Sequence, residues 1–257
     1  MNLKFHKYQG TGNDFVMIDN REFVFDKNNL DLVARLCNRK FGVGADGLIL
    51  IENHDSVDFD MIYFNADGTK SFCGNGSRCA VAFAKYLNII ESKTTFNAID
   101  GIHEATIDED VVELKMGNVE QVEIGENHFF IHTGSPHYIE YKGDIQNLDI
   151  VLEAHKVRYN SRFREQGTNV NYVQKKSDVL EVRTYERGVE DETLSCGTGA
   201  TAVALSGALK YNMNSPVLIK VQGGELTIKF NQLSDQSFND IWLIGKGESV
   251  YSGEIEI

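Results

Sequence analysis

Short runs rich in β-branched and aromatic residues recur along the whole chain. Phe15–Ile18, Gly47–Ile51, Phe59–Phe64, Val111–Met116, Phe129–Thr133, Asn169–Gln174, Val179–Tyr185, Val217–Val221, Glu225–Phe230 and Ile241–Gly245 predict strands. Leu30–Asn38 predicts a short helix. Two further runs, Cys79-Ala80-Val81-Ala82-Phe83-Ala84 and Ala200 to Leu209, are apolar around nearly their whole circumference. A helix apolar on every side has to be buried on every side, and without a membrane to receive it, it must be wrapped by sheet. The pattern therefore predicts an α+β (mixed α/β) fold in which a strongly curved sheet surrounds a central buried helix. Strict alternation of strand and crossover helix is not what it describes.

The two apolar helices belong to an internal repeat. Cys73-Gly74-Asn75-Gly76 and Cys196-Gly197-Thr198-Gly199 share the pattern C-G-x-G and lead into runs of small apolar residues that end in Lys85-Tyr86 and Lys210-Tyr211. A lysine at a helix C-terminus suits the helix dipole. The copies stand about half a chain apart, so the expectation is two related, pseudosymmetric lobes.

Composition narrows the partners. The 257 residues hold 25 Lys and Arg against 38 Asp and Glu, a net charge of −13 that repels phosphate backbones and anionic headgroups. Nucleic acid and membrane surfaces are therefore not expected as partners. Lys4, Lys7, Asp14 and Asp19 stand where a signal peptide would be apolar, so the chain reads as cytoplasmic. Only Pro136 and Pro216 interrupt it, which excludes a proline-rich linker. Four cysteines, Cys37, Cys73, Cys79 and Cys196, are too few for a disulfide scaffold and lack zinc-ligand spacing, so no metal is expected. His128 and His132, four apart in an aromatic and β-branched run, read as strand residues.

The chemistry lies where the two helices begin. First-turn amides have no intrahelical partner, and the N-terminal dipole end attracts negative charge, so each C-G-x-G is a place for a carboxylate or phosphate. The same position lowers a cysteine pKa. Cys73 and Cys196 are thus candidate bases, although a single buried cysteine is ordinarily a small hydrophobe. Cys79, inside its helix, and Cys37 read as core. Two equivalent cysteines predict a pseudo-twofold cleft that inverts a carbon next to a bound carboxylate. One thiolate removes the proton from one face, a thiol returns one on the other, and the helix N-termini stabilise the developing charge.

Gly10-Thr11-Gly12-Asn13-Asp14, Gly42-Val43-Gly44-Ala45-Asp46-Gly47, Asn65-Ala66-Asp67-Gly68, the two C-G-x-G runs, Gly167-Thr168-Asn169-Val170 and Glu186-Arg187-Gly188 occur in one order across nearly the whole chain. That ordered set resembles the diaminopimelate epimerase family. The resemblance implies a cofactor-independent epimerase acting on LL-2,6-diaminopimelate, a small amino-acid substrate, on the path to lysine and peptidoglycan. It implies a homodimer of two-lobed chains, with lobes 1–117 and 118–245 and a C-terminal segment, 246–257, returning to the first lobe. Cys73 and Cys196 match the acid/base pair, Cys196 accepting the proton in the LL direction. Gly74, Asn75, Gly197 and Thr198 match the helix-end groups on the reacting carboxylate. Asn13, Asn65, Asn169, Glu186 and Arg187 match groups on the distal amino-acid head, and His137 matches a histidine that with Glu186 tunes the cysteines.

The chain departs from the family pattern at Ser135, where an asparagine is common, at Gly47, where some members carry glutamine, and in two loop lengths. Reaction type is therefore better specified than substrate. A racemase of another amino acid (proline-racemase-like, or acting on histidine or glutamate) and a non-catalytic amino-acid-binding homologue are the alternatives, the second opposed by both intact cysteines. Gly42-x-Gly44-x-x-Gly47 formally satisfies a dinucleotide fingerprint, but it follows a helix and precedes a strand, the reverse of the required order.

Overall fold

A computed structural model describes residues 2–257. In chain order the elements are β1 (Asn2–Gly10), β2 (Asn13–Asp19), α1 (Leu30–Cys37), β3 (Gly47–Glu52), β4 (Phe59–Asn65), α2 (Gly74–Tyr86), β5 (Lys93–Ala98), β6 (Gly101–Asp108) and β7 (Val111–Lys115). They continue with β8 (Val122–Ile124), β9 (His128–His132), β10 (Pro136–Tyr141), α3 (Ile150–Arg158), β11 (Asn169–Lys176), β12 (Val179–Glu186), β13 (Asp191–Thr193) and α4 (Gly197–Tyr211). The last are β14 (Val217–Val221), β15 (Gly224–Gln232), β16 (Phe238–Lys246) and β17 (Glu248–Glu256). The chain divides into two compact units, residues 1–114 with 245–257 and residues 115–244. Among the described residues no helix is long and apolar enough to cross a membrane.

The mixed α/β fold is as expected, and the repeat extends to the order of strand pairing. In the first unit β1–β2 is antiparallel, β2–β3 parallel, β3–β4 antiparallel, β4–β5 parallel, and β5–β6 and β6–β7 antiparallel. In the second, β9–β10, β10–β11, β11–β12, β12–β14 and β14–β15 run antiparallel, parallel, antiparallel, parallel and antiparallel, and β15–β16 is again antiparallel. A further strand borders each series, β17 on β1 and β8 on β9.

Each unit wraps its strands around one helix. α2 packs against β1, β2, β3, β4, β6 and β17, and α4 against β9, β10, β11, β12, β14 and β15. Of the twelve consecutive positions of α4 from Gly197 to Ala208, eleven have almost no solvent access and only Thr198 is partly open. That is the burial an all-round apolar helix demands.

The smaller helices start where capping chemistry places them. Asn29 accepts the Leu32 N–H at 3.1 Å and Asp149 the Leu152 N–H at 3.1 Å. α1 then buries Val33, Leu36 and Cys37.

Candidate functional site

In both units the residues of interest gather at one end of the strands. In the first, Asn13 and Gly47 begin β2 and β3, Asn65 ends β4, and Cys73 precedes α2. In the second, Ser135 precedes β10, Asn169 begins β11, Glu186 ends β12, and Cys196 precedes α4. Register aligns them: Phe15 pairs with Gly47 as His137 pairs with Asn169.

The cysteines occupy the same backbone conformation, φ −135° and ψ 110° at Cys73 against −126° and 111° at Cys196, each as the N-cap of its helix. The first helical hydrogen bonds are Ser77 N–H to Cys73 C=O and Ala200 N–H to Cys196 C=O, both 2.8 Å. The amides of Gly74 and Asn75, and of Gly197 and Thr198, therefore lie outside the helical ladder at the positive end of the dipole. Cys79 and Cys37 are buried core thiols, as their place in the pattern predicts. Burial pushes the Cys37 thiol up to about 12 and the Cys79 thiol higher still, so neither ionises near neutral pH.

Around Cys73 the polar groups are ordered by a partly exposed ion cluster. Asp46 Oδ2 accepts the Asn13 amide N–H at 2.7 Å, which turns Asn13 Oδ1 toward Cys73 Sγ (3.6 Å) and Asn75 Nδ2 (3.3 Å). Gly76 N–H donates to Cys73 Sγ at 3.3 Å. Asp46 is held by Arg39 at 2.8 Å, and Asp14 by Arg39 and Lys7, both at 2.7 Å. Burial opposes the Asp14 carboxylate, but the hydrogen bonds and charges of Arg39 and Lys7 outweigh it and hold the carboxyl down at about 2. Its stabilising contribution is complete above the ordinary value of 3.8 and is lost as pH falls from there toward 2. Asp14→Asn is therefore expected to lower the urea midpoint at pH 6 and to flatten its fall between pH 4 and 2.5.

Asn65 is committed to its own turn. Its Oδ1 accepts from the Tyr63 hydroxyl at 2.8 Å, and its Nδ2 donates to Thr69 Oγ1 at 2.9 Å. The same tyrosine explains Gly47: a Cβ there would stand 2.4 Å from the Tyr63 ring and 2.5 Å from the Phe64 carbonyl oxygen. No side chain, glutamine included, fits at that position without moving Tyr63 or the backbone.

In the second unit Asn169 is the hub of the polar residues. Its Nδ2 donates to Ser135 Oγ at 2.9 Å and to the Pro136 carbonyl at 3.0 Å, and its Oδ1 accepts the Arg187 N–H at 2.9 Å. Ser135 is thus a link in this group, accepting also from Arg187 Nη2 at 3.5 Å. The exposed Arg187 guanidinium donates to the Gln166 carbonyl at 3.1 Å, and Glu186 Oε2 accepts from Thr193 Oγ1 at 3.0 Å. The acidic run after Arg187 is tied down: Glu190 by Arg158 at 2.9 Å and Glu192 by a two-point bond from Arg183, 2.6 Å at each oxygen.

His137 is fully buried and touches Thr198, whose Oγ1 lies 2.9 Å from Nε2 and 3.4 Å from Cys196 Sγ. Burial, then the His132 and Arg187 charges, push its pKa down to about 3, so the imidazole is neutral at working pH. Three further residues shape the group: Thr133 donates to the Thr198 carbonyl at 2.8 Å, Asn171 lies 3.2 Å from His137 Nδ1, and Thr184 donates to Asn171 Oδ1 at 3.0 Å. The sequence does carry a signal for Asn171. It stands two residues from Asn169, on the same strand face, in a run otherwise apolar. His128 and His132 are strand residues of β9, with His128 stacked on Tyr138.

Two units of one pairing order, each built on a buried helix that opens with a cysteine and two glycines, form a fold that solved epimerase structures share. A hydroxyproline epimerase from Agrobacterium vitis superposes with a TM-score of 0.68 at 14% identity, over 99% of this chain and 92% of that one. A phenazine biosynthesis protein of the PhzF family from Bacillus anthracis does so with a TM-score of 0.77 at 13% identity, over 100% of both chains.

Sequence comparison is more specific. The family model for diaminopimelate epimerase matches residues 5–122 and 129–244. The diaminopimelate epimerase of Flavobacterium psychrophilum is 53% identical over 98% of this chain and 100% of its own, and that of Chlorobaculum tepidum 42% over 96% and 99%. The chain is an isomerase and belongs to the diaminopimelate epimerase family.

Proposed function

We propose that this protein, as a cytoplasmic homodimer, interconverts LL- and meso-2,6-diaminopimelate by a two-cysteine acid–base reaction in the supply of lysine and peptidoglycan precursors. The observation that carries the reading is the equivalence of Cys73 and Cys196, one N-cap thiol in each of two units with the same order of strand pairing. In the LL direction the Cys196 thiolate takes the Cα proton and its electron pair passes into the carboxylate. The Cys73 thiol then delivers its proton to the opposite face of Cα. The two cysteines finish with their protonation states exchanged, and the reverse reaction restores them.

Helix-end amides supply the electrostatic part. Charge that develops on the carboxylate in the transition state is met by the N–H groups of Gly74, Asn75, Gly197 and Thr198, already oriented by the backbone. Asn13, Asn65, Asn169, Glu186 and Arg187 hold the remaining polar groups, a guanidinium fork suiting the distal carboxylate and Glu186 the distal ammonium.

Purified protein incubated with LL-diaminopimelate in deuterated water under reducing conditions tests this. Meso product carrying one Cα deuterium is expected, with no label entering proline, histidine or glutamate. Absence of both inversion and label would overturn the reading. Turnover of one of the other amino acids in its place would assign the chain to a different racemase.

A further inference from the structure

The two units share a scaffold and differ in what lies beneath the cysteine. Register makes Phe15 the counterpart of His137, since Phe15 pairs with Gly47 as His137 pairs with Asn169. Two residues on, Met17 pairs with Ile49 as Ile139 pairs with Asn171, so Ile49 is the counterpart of Asn171. The last glycines of the two motifs agree: a Cβ on Gly76 would meet Ile49 Cδ1 at 3.1 Å, and one on Gly199 would meet Asn171 Oδ1 at 2.7 Å. An apolar pair in the first unit is thus a polar pair in the second.

Hydrogen-bond direction in that polar pair is fixed from its far end. The Tyr138 carbonyl can only accept, and it takes an N–H from Asn171 Nδ2 at 3.0 Å. That sets the amide orientation, which the Thr184 hydroxyl donating to Oδ1 confirms. The second N–H of Nδ2 is then aimed at His137 Nδ1, 3.2 Å away. A neutral imidazole has one donor and one acceptor, so Nδ1 accepts and Nε2 carries the proton. Nε2–H donates to Thr198 Oγ1, and the hydroxyl proton of Thr198 is left to point at Cys196 Sγ.

We propose that Asn171 is a positioning residue for Cys196: it locks His137 in the Nε2–H tautomer, so that the chain Asn171, His137, Thr198 ends in a hydroxyl donor on the cysteine sulfur. With the opposite tautomer, a bare Nε2 would draw the Thr198 proton to itself and turn an oxygen lone pair on the sulfur, disfavouring the thiolate. Cys73 has no such chain, because Phe15 and Ile49 fill the equivalent places. This deepens the two-cysteine reading and rests on it for its catalytic meaning, but its tests need no substrate.

Nitrogen-15 spectra of the intact protein read the tautomer directly. His137, identified by the signals that His137→Gln removes, is expected to show a protonated Nε2 and a bare Nδ1 unchanged from pH 6 to 9. A protonated Nδ1 would overturn the proposal. Iodoacetamide alkylation in a Cys73→Ala background then reads the thiolate of Cys196, since Cys37 and Cys79 are more deeply buried than Cys196 and burial holds their thiols protonated. Thr198→Val and Asn171→Leu are each expected to slow alkylation at pH 7 about tenfold, the equivalent of one pKa unit. Thr198→Ser should keep the rate, and the double variant should be no slower than either single one. Unchanged rates, or two independent and additive effects, would overturn it. Should Asn171→Leu fail to fold, the tautomer and the contrast between valine and serine at 198 still decide.

Discussion

Cys73→Ala and Cys196→Ala are each expected to lower the rate of epimerisation by about 10²–10⁴-fold, the scale of a lost general acid or base. Neither should unfold the protein. Cys196 is 8% exposed and Cys73 more so, and removing one sulfur at the edge of a core costs far less than deleting a branched side chain. The one structural complication is that Cys73 Sγ accepts the Gly76 N–H and so caps α2. Cys73→Ser separates the two roles, because a hydroxyl keeps the cap while being far too weak an acid to protonate a carbanion at the thiol's rate. The serine variant is therefore expected to match the wild-type unfolding midpoint more closely than the alanine variant and to be as inactive. Inversion by either alanine variant within tenfold of wild type would refute a two-base reaction, with circular dichroism and urea titration showing that the folded protein was assayed.

The largest effect on stability is expected at Gly42. A Cβ there would stand 2.0 Å from the Arg35 carbonyl oxygen and 2.7 Å from that of Leu36, both backbone atoms in the last turn of α1. The loop closes on that helix end through Gly44 N–H to Leu36 C=O at 3.0 Å and Ala45 N–H to Cys37 C=O at 3.0 Å. A methyl group can be admitted only by pulling the loop away from α1. That breaks the bonds to the helix carbonyls and loosens the packing of Val33, Leu36 and Cys37. Gly42→Ala is thus expected to cost about 4 kcal/mol in urea unfolding, in the range of severe core substitutions. A cost below about 1 kcal/mol would show that the loop does not pack this way. The contacts also dispose of the dinucleotide reading of Gly42, Gly44 and Gly47: the loop lies on a helix C-terminus, where carbonyl oxygens repel phosphate.

The central helices were legible because their signal is one-dimensional: a run without a polar face allows one kind of surroundings. α1 and the buried strands β3, β4, β11 and β12 were legible for a similar reason. What escaped the pattern lies at the edges or depends on distant partners. β17 has all nine of its residues on the water side or half open, so nothing in Glu248–Glu256 reads as apolar alternation. β1 alternates until Lys7, which points inward, and its ion pair with Asp14 and its hydrogen bond to the Gly44 carbonyl make a buried lysine tolerable. α3 carries one histidine and three basic or acidic residues and buries only Ile150 and Ala154. The motif residues of the site could be named from their order in the chain, but Asn171 could not. A buried asparagine on a strand declares its purpose only when the carbonyl and imidazole it joins are seen.

β17 pairs with β1 along nearly its whole length, from Asn2 with Glu256 to Gln9 with Glu248. The second unit is one unbroken stretch of chain, whereas the first is made from two stretches that flank it. On the ribosome this reverses the order of appearance. Residues 115–244 can close their own sheet as soon as they have emerged, while β1, synthesised before them, keeps one edge without its strand until β17 leaves the exit tunnel. Of the two site cysteines, Cys73 is translated before Cys196 and is accordingly set in a finished fold after it. A nascent or truncated chain would thus hold a completed second unit beside an open first one.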